Sequence, residues 1–131
     1  MKKFNQMKLP RTIELRKGWN TGGTLHGATV SQWHRSTWGN GLATCADFVT
    51  AIAKLDGTPS LDDQGQQLGV YRSSLAPLQP DQVFGYSLQL LQAVSIGTKE
   101  HIAQLADEPI SKWAFVCATQ LGWLKIEEAQ P

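Results

Sequence analysis

The chain has 131 residues, a length typical of one domain; 41% of them are hydrophobic and 18% are charged. This composition favours a packed core and excludes wholesale disorder. The longest apolar run, WAFVCA at 113–118, is far shorter than the roughly 20 residues a membrane span needs. No secretory signal pattern follows the basic residues near the N-terminus. We therefore predict a cytoplasmic protein that does not bind a membrane, with Cys45 and Cys117 as buried free thiols.

The net charge of +1 conceals an uneven distribution. Residues 1–17 carry six basic side chains against Glu14 alone, a balance of +5, whereas the other 114 residues carry six basic and ten acidic side chains, a balance of −4. Such an arm can bind nucleic acid through phosphate contacts, dock on the acidic body or stay solvated. The basic residues available for nucleic-acid contact are Lys2, Lys3, Lys8, Arg11, Arg16 and Lys17.

Within this arm, the segment RTIELR at 11–16 alternates polar and apolar residues, with Ile13 and Leu15 on one side. The period is that of a strand, and no clear partner strand is visible in the sequence. We interpret it as an extended arm laid on the body, or as an edge that pairs with its own copy in a dimer. Residues 17–41 follow as a long loop with six glycines and three of the five tryptophans. A short helix capped by Thr29 or Ser31 is predicted inside this loop.

The sequence pattern predicts helices over the rest of the chain. Residues 42–57 place their apolar side chains on one half of a helical wheel, with Asn40 as a candidate cap. In residues 58–78, Leu61, Leu68 and Leu75 recur every seven residues, which favours another helix. Further helices are predicted over 79–97, 98–107 and 108–125. The sequence therefore predicts an all-α, single-domain bundle of five to six helices. Its arm would cover 1–17, its helical domain 18–125 and its tail 126–131.

The histidine, cysteine and aspartate residues do not show the spacing of a metal site or of a catalytic site. The three histidines lack i, i+4 spacing and no Cys-x-x-Cys occurs, so no metal and no cofactor is predicted. On the predicted helix, Cys45 and Asp47 point to different sides, so they cannot serve one substrate. Cys45 should pack in the core, and Asp47 should lie at the surface or tether the preceding loop. We predict no catalytic residues.

The tryptophan-rich loop is the best candidate for a binding site. Its aromatic anchors and polar tips suit a binding surface, and equally suit a loop held to its own core. The residues concerned are Trp19, His26, Trp33, His34, Arg35, Trp38 and Asn40. We therefore predict a small helical protein that acts by binding a partner protein or its own copy. The alternatives are a nucleic-acid-associated accessory protein or regulator that uses the basic arm, and an enzyme with a site under the 18–41 loop.

Overall fold

The computed structural model describes residues 18–128; residues 1–17 and 129–131 lie outside the described part. The described chain contains five α-helices, one short 3-10 helix and three strands. In chain order these are α1 (Val30–Arg35), α2 (Trp38–Lys54), β1 (Pro59–Leu61), β2 (Gln67–Ser73), the 3-10 helix (Pro80–Gln82), α3 (Val83–Lys99), α4 (Ile102–Leu105), α5 (Ile110–Gln120) and β3 (Leu124–Glu128). The prediction of an all-α helical bundle is therefore wrong, because the fold is mixed α/β.

The three strands form one antiparallel sheet in the order β1-β2-β3. Tyr71 in the middle strand lies opposite Ile126 in β3, and Val70 lies opposite Pro59 in β1. The ring of Tyr71 meets Phe115 of α5 edge-on, with the ring centroids 6.3 Å apart. One face of the sheet therefore covers α5.

The helix predicted over 58–78 is a β-hairpin because of the turn chemistry at Asp62. The Asp62 carboxylate accepts hydrogen bonds from the backbone N–H groups of Gln64 and Gln66, at 2.9 and 2.8 Å. Gly65 adopts a φ of +82°, which an L side chain rarely tolerates. An aspartate that bonds its own backbone two residues on, followed by glycine, is a turn signal that overrides the leucine spacing.

The seven-residue spacing of leucines was misleading for the same reason. Leu61 and Leu68 are 56% and 51% exposed, and only Leu75, beyond the end of β2, is buried at 2%. Residues seven apart share a helix face but fall on opposite faces of a strand. The leucine spacing therefore did not indicate a helix face that packs in the core.

The last predicted helix also ends earlier than 125. Helix α5 stops at Gln120, and Gly122 turns the chain with a φ of +81°. The buried Trp123 leads directly into β3, which runs across the boundary predicted between residues 125 and 126. The sequence pattern of this strand offers little periodicity, because four of its five residues are exposed.

The helices that surround the candidate loop follow the sequence more closely. Thr29 caps α1 through a reciprocal capping box with Gln32, as predicted for Thr29. Helix α2 begins four residues earlier than predicted, and Thr37 is its cap instead of Asn40. Its apolar face packs on α3 and α5 around a continuous core. The buried members of that core in these helices include Leu42, Cys45, Val49, Ile52, Leu90, Leu91, Val94, Ile110, Ala114 and Ala118.

The start of α1 is fixed to the start of α5 by backbone hydrogen bonds. The Val30 N–H donates to the Glu108 carbonyl, and the Ile110 N–H donates to the Ala28 carbonyl, both at 2.8 Å. This connection places α1 and the tryptophan-rich loop against the helical core. Within residues 18–128, no helix is both long enough and apolar enough to cross a membrane.

Candidate functional site

Three polar side chains of α2 bind three consecutive residues of the preceding loop. The Asn40 amide accepts from the Thr24 N–H at 2.9 Å and donates to the Thr24 hydroxyl at 2.8 Å. The Thr44 hydroxyl accepts from the Leu25 N–H at 3.2 Å. Finally, the Asp47 carboxylate lies 2.7 Å from Nε2 of His26. The loop therefore runs along α2 and is attached to it residue by residue.

Residues 40, 44 and 47 share one side of a helix because they are spaced i, i+4 and i+7. The role predicted for Asp47, a tether to the preceding loop, is confirmed by its contact with His26. Sequence reasoning missed Thr44, which is fully buried and also donates to the Asn40 carbonyl at 2.9 Å. The sequence does contain a signal for this role, because polar residues at positions 40, 44 and 47 recur on one side of an otherwise apolar helix. Two of the predicted site residues, His26 and Asn40, therefore hold the loop in place.

The three tryptophans of the loop all pack against the core. Trp33 is 4% exposed, and its indole N–H donates to the Ser95 hydroxyl at 3.1 Å. Trp38, the first residue of α2, is half-buried, and Trp19 meets Phe84 edge-on at 5.3 Å. Arg35 is exposed at the end of α1.

Trp33, His34 and Trp38 come together at one cleft between α1, the start of α2 and α3. The cleft has a volume of about 180 Å³. Its remaining lining residues are Ser36, Thr37, Gly41, Leu91 and Ser95. We call this feature the tryptophan cleft. Two other depressions, of about 380 and 300 Å³, contain none of the predicted site residues.

His34 is held as a neutral side chain with a defined tautomer. Its Nε2 lies 2.7 Å from the Thr98 hydroxyl, and that hydroxyl donates to the Val94 carbonyl at 2.8 Å. A hydroxyl has one proton, so Thr98 must accept from His34, and the ring proton sits on Nε2. Burial, and then the positive charge of Lys99, lower the pKa of His34 below its ordinary value. The remaining ring nitrogen, Nδ1, is therefore an acceptor at neutral pH.

The depressed pKa of His34 predicts a loss of stability in acid. The unfolded chain binds this proton more readily than the folded chain, so the stabilisation is present above pH 6.5 and is lost as the pH falls below it. Urea unfolding of wild type and H34Q should show a steeper decline between pH 7 and pH 5 in wild type. Equal slopes for the two proteins over that range would contradict the assignment.

The cleft does not contain the groups of a nucleophilic site. Cys45 is fully buried on the core side of α2 while Asp47 is exposed, as predicted from the wheel. Among the side chains of residues 18–128, no carboxylate pairs with His34, and its Nε2 is bonded to Thr98. Within residues 18–128, no cluster of three or more His, Cys, Asp and Glu side chains could hold a metal ion.

Cys45 should be chemically inert in the native protein. Burial, reinforced by the neighbouring Cys117, raises the pKa of its thiol well above the ordinary value, and the reactive species is the thiolate. A C117A variant treated with maleimide should therefore label at Cys45 only in denaturant. Rapid labelling under native conditions would indicate a reactive cysteine and contradict the packing.

The six basic residues predicted to contact nucleic acid, from Lys2 to Lys17, lie outside the described residues. The described part has six basic and ten acidic side chains, so it supplies no excess of positive charge for phosphate.

No family model matches the chain, and neither a curated protein nor a solved structure shows significant similarity to it.

Proposed function

We propose that this protein acts by binding a partner protein, and that one large apolar side chain of the partner inserts into the tryptophan cleft. The observation that carries the proposal is the convergence of Trp33, His34 and Trp38 on one opening of about 180 Å³. Aromatic side chains at the centre of an interface commonly supply most of the binding energy. Trp33 and His34 lie in α1 and Trp38 begins α2, so helices hold all three side chains in place.

The volume of the cleft favours a side chain over a free metabolite. Sites for drug-sized ligands and cofactors occupy about 300–1,000 Å³, whereas a cavity of about 150 Å³ holds a benzene molecule. The tryptophan cleft is close to the smaller value, which is the size of one ring or one branched aliphatic group. The polar residues His34, Ser36 and Ser95 line the same opening. These suit the polar rim of a protein interface.

The environment that we propose is a reducing one, the cytoplasm. Both cysteines are free and buried, and burial raises the pKa of each thiol. The two thiols therefore pack as small apolar side chains, and no disulfide bond between them stabilises the fold.

Filling the cleft tests the proposal. Ser36 lines the opening and its hydroxyl donates to the Trp33 carbonyl at 2.7 Å, so S36F would fill the space while S36A removes only the hydrogen bond. Indole and toluene serve as probes for an inserted side chain, observed through the indole N–H resonance of Trp33. We expect saturable binding in the millimolar range to wild type and S36A, and none to S36F. Binding that persists in S36F would place the probes elsewhere and overturn the proposal.

The uneven charge supports a second candidate, a nucleic-acid-associated accessory protein or regulator. Its residues are Lys2, Lys3, Lys8, Arg11, Arg16 and Lys17, which give the arm its balance of +5. Binding through phosphate contacts weakens steeply with salt, because each contact releases a counterion. Replacing all six by glutamine should abolish retention on duplex DNA or RNA at low salt. Absence of retention for the wild-type chain at low salt would eliminate this candidate.

A further inference from the structure

The outer edge of β3 is a strand edge that lies outside the tryptophan cleft. Among the described residues, β3 pairs only with β2, so one side of its backbone has no strand partner. Unpaired strand edges attract further strands, and proteins usually cover or blunt them. Here the edge is five residues long and carries the sequence Leu-Lys-Ile-Glu-Glu.

Ile126 is exposed at this edge although it lies on the inner face of the sheet. It is paired directly with Tyr71, whose ring contacts Phe115 of α5, so its side chain lies on the same face as the helix. Even so, Ile126 is 45% exposed and Phe115 is 40% exposed. A core-facing isoleucine and a neighbouring phenylalanine are left partly uncovered where the sheet ends.

From this edge we infer that β3 pairs antiparallel with β3 of a second copy of the chain, about a two-fold axis at Ile126. A two-fold axis perpendicular to the sheet makes the interface isologous and joins two three-stranded sheets into six strands. In this register Ile126 faces its own copy, and the two apolar side chains cover each other. This inference is independent of the tryptophan cleft.

Charge selects this register over its neighbours. Lys125 lies opposite Arg72, and Glu127 opposite Val70, so both charged residues are on the outer face of the sheet. Pairing about Ile126 places Lys125 of each copy opposite Glu127 of the other, giving two cross-strand ion pairs. Moving the axis to 127 would oppose two glutamates, and moving it to 125 would oppose two lysines. Like charges directly opposite are unfavourable, so only the central register is complementary.

The existing contact between β2 and β3 is compatible with this arrangement. Nε of Arg72 lies 3.1 Å from a Glu127 carboxylate oxygen, and both side chains are substantially exposed. A carboxylate has two oxygens and about four acceptor sites, so Glu127 can accept from Arg72 and from Lys125 of the second copy together.

Sedimentation of the full chain over a range of concentrations tests the dimer. We expect a monomer–dimer equilibrium that either K125E or E127K weakens by about tenfold or more, and that the double exchange K125E/E127K restores. A full chain that remains monomeric at high concentration contradicts the inference, whether the edge is solvated or covered by its own N-terminal segment. A dimer that is indifferent to the single charge reversals also contradicts it.

A cysteine at the proposed axis gives an independent check. Residues that face each other across antiparallel strands have Cα atoms roughly 4.5–5.5 Å apart, within the range that a disulfide spans. The I126C chain should form a covalent dimer under mild oxidation, whereas L68C, exposed on β2, should not. Both native cysteines are buried and should not compete. Equal cross-linking of the two variants would indicate random collision and overturn the assigned axis.

Discussion

Replacing Trp33 by alanine should lower the free energy of unfolding by about 3–5 kcal/mol, the usual cost of removing a large buried aromatic side chain. Trp33 is 4% exposed and lies where α1 meets α3. Its loss also leaves the Ser95 hydroxyl without the indole donor. Urea unfolding followed by circular dichroism measures the change.

Trp38 provides the matched control for this experiment. It is half-buried at the start of α2, so W38A removes less contact area and should cost clearly less than W33A. If W33A unfolds with less than about 1 kcal/mol of destabilisation, or if W38A costs more, Trp33 is not the anchor of the loop.

Gly23→Ala should be the most damaging small substitution in the loop. A Cβ at this position would lie 2.6 Å from the Thr44 backbone nitrogen and 2.8 Å from its Cα. Neither atom can rotate away, so the loop must move off α2, which weakens the adjacent contacts of Thr24 and Leu25. Overpacking of this kind costs about 1–3 kcal/mol, with more expected here because the obstacle is backbone.

The control is Gly27→Ala, in the same loop. A Cβ at Gly27 meets no atom within 4 Å, so the substitution should leave stability nearly unchanged. Both variants can be measured by the same unfolding experiment. Similar stabilities for G23A and G27A would contradict the close approach of the loop to α2.

The helices that carry strong apolar periodicity could be predicted from the sequence, and the sheet could not. In α2, the side chains of Cys45, Val49 and Ile52 recur at helical spacing and all are buried. In β2, the apolar Leu68 and Val70 lie on the outer face while Gly69 and Ser73 lie inward, so the strand lacks the usual apolar-inward alternation. It is defined instead by its pairing with distant β3. Strand pairing between residues more than fifty positions apart has no local signature.

The sequence indicated several residues of the candidate site, but it did not indicate how they are arranged in space. The sequence indicated Trp33, His34 and Trp38, and the structure brings them to one cleft. It could not indicate that Leu91 and Ser95 of α3 complete the lining, because that requires the packing of α2 on α3. Nor could it separate the two other polar candidates, since His26 bonds Asp47 and Asn40 bonds Thr24 away from the cleft.

Selection of binders from a random peptide library tests most directly whether the tryptophan cleft is a protein-binding site. The wild-type chain is the target, and each enriched peptide is then measured against S36A and S36F. We expect the enriched peptides to share one large apolar residue, to bind wild type and S36A alike, and to lose at least about tenfold in affinity for S36F. Peptides without a common apolar residue, or with equal affinity for S36F, would contradict it.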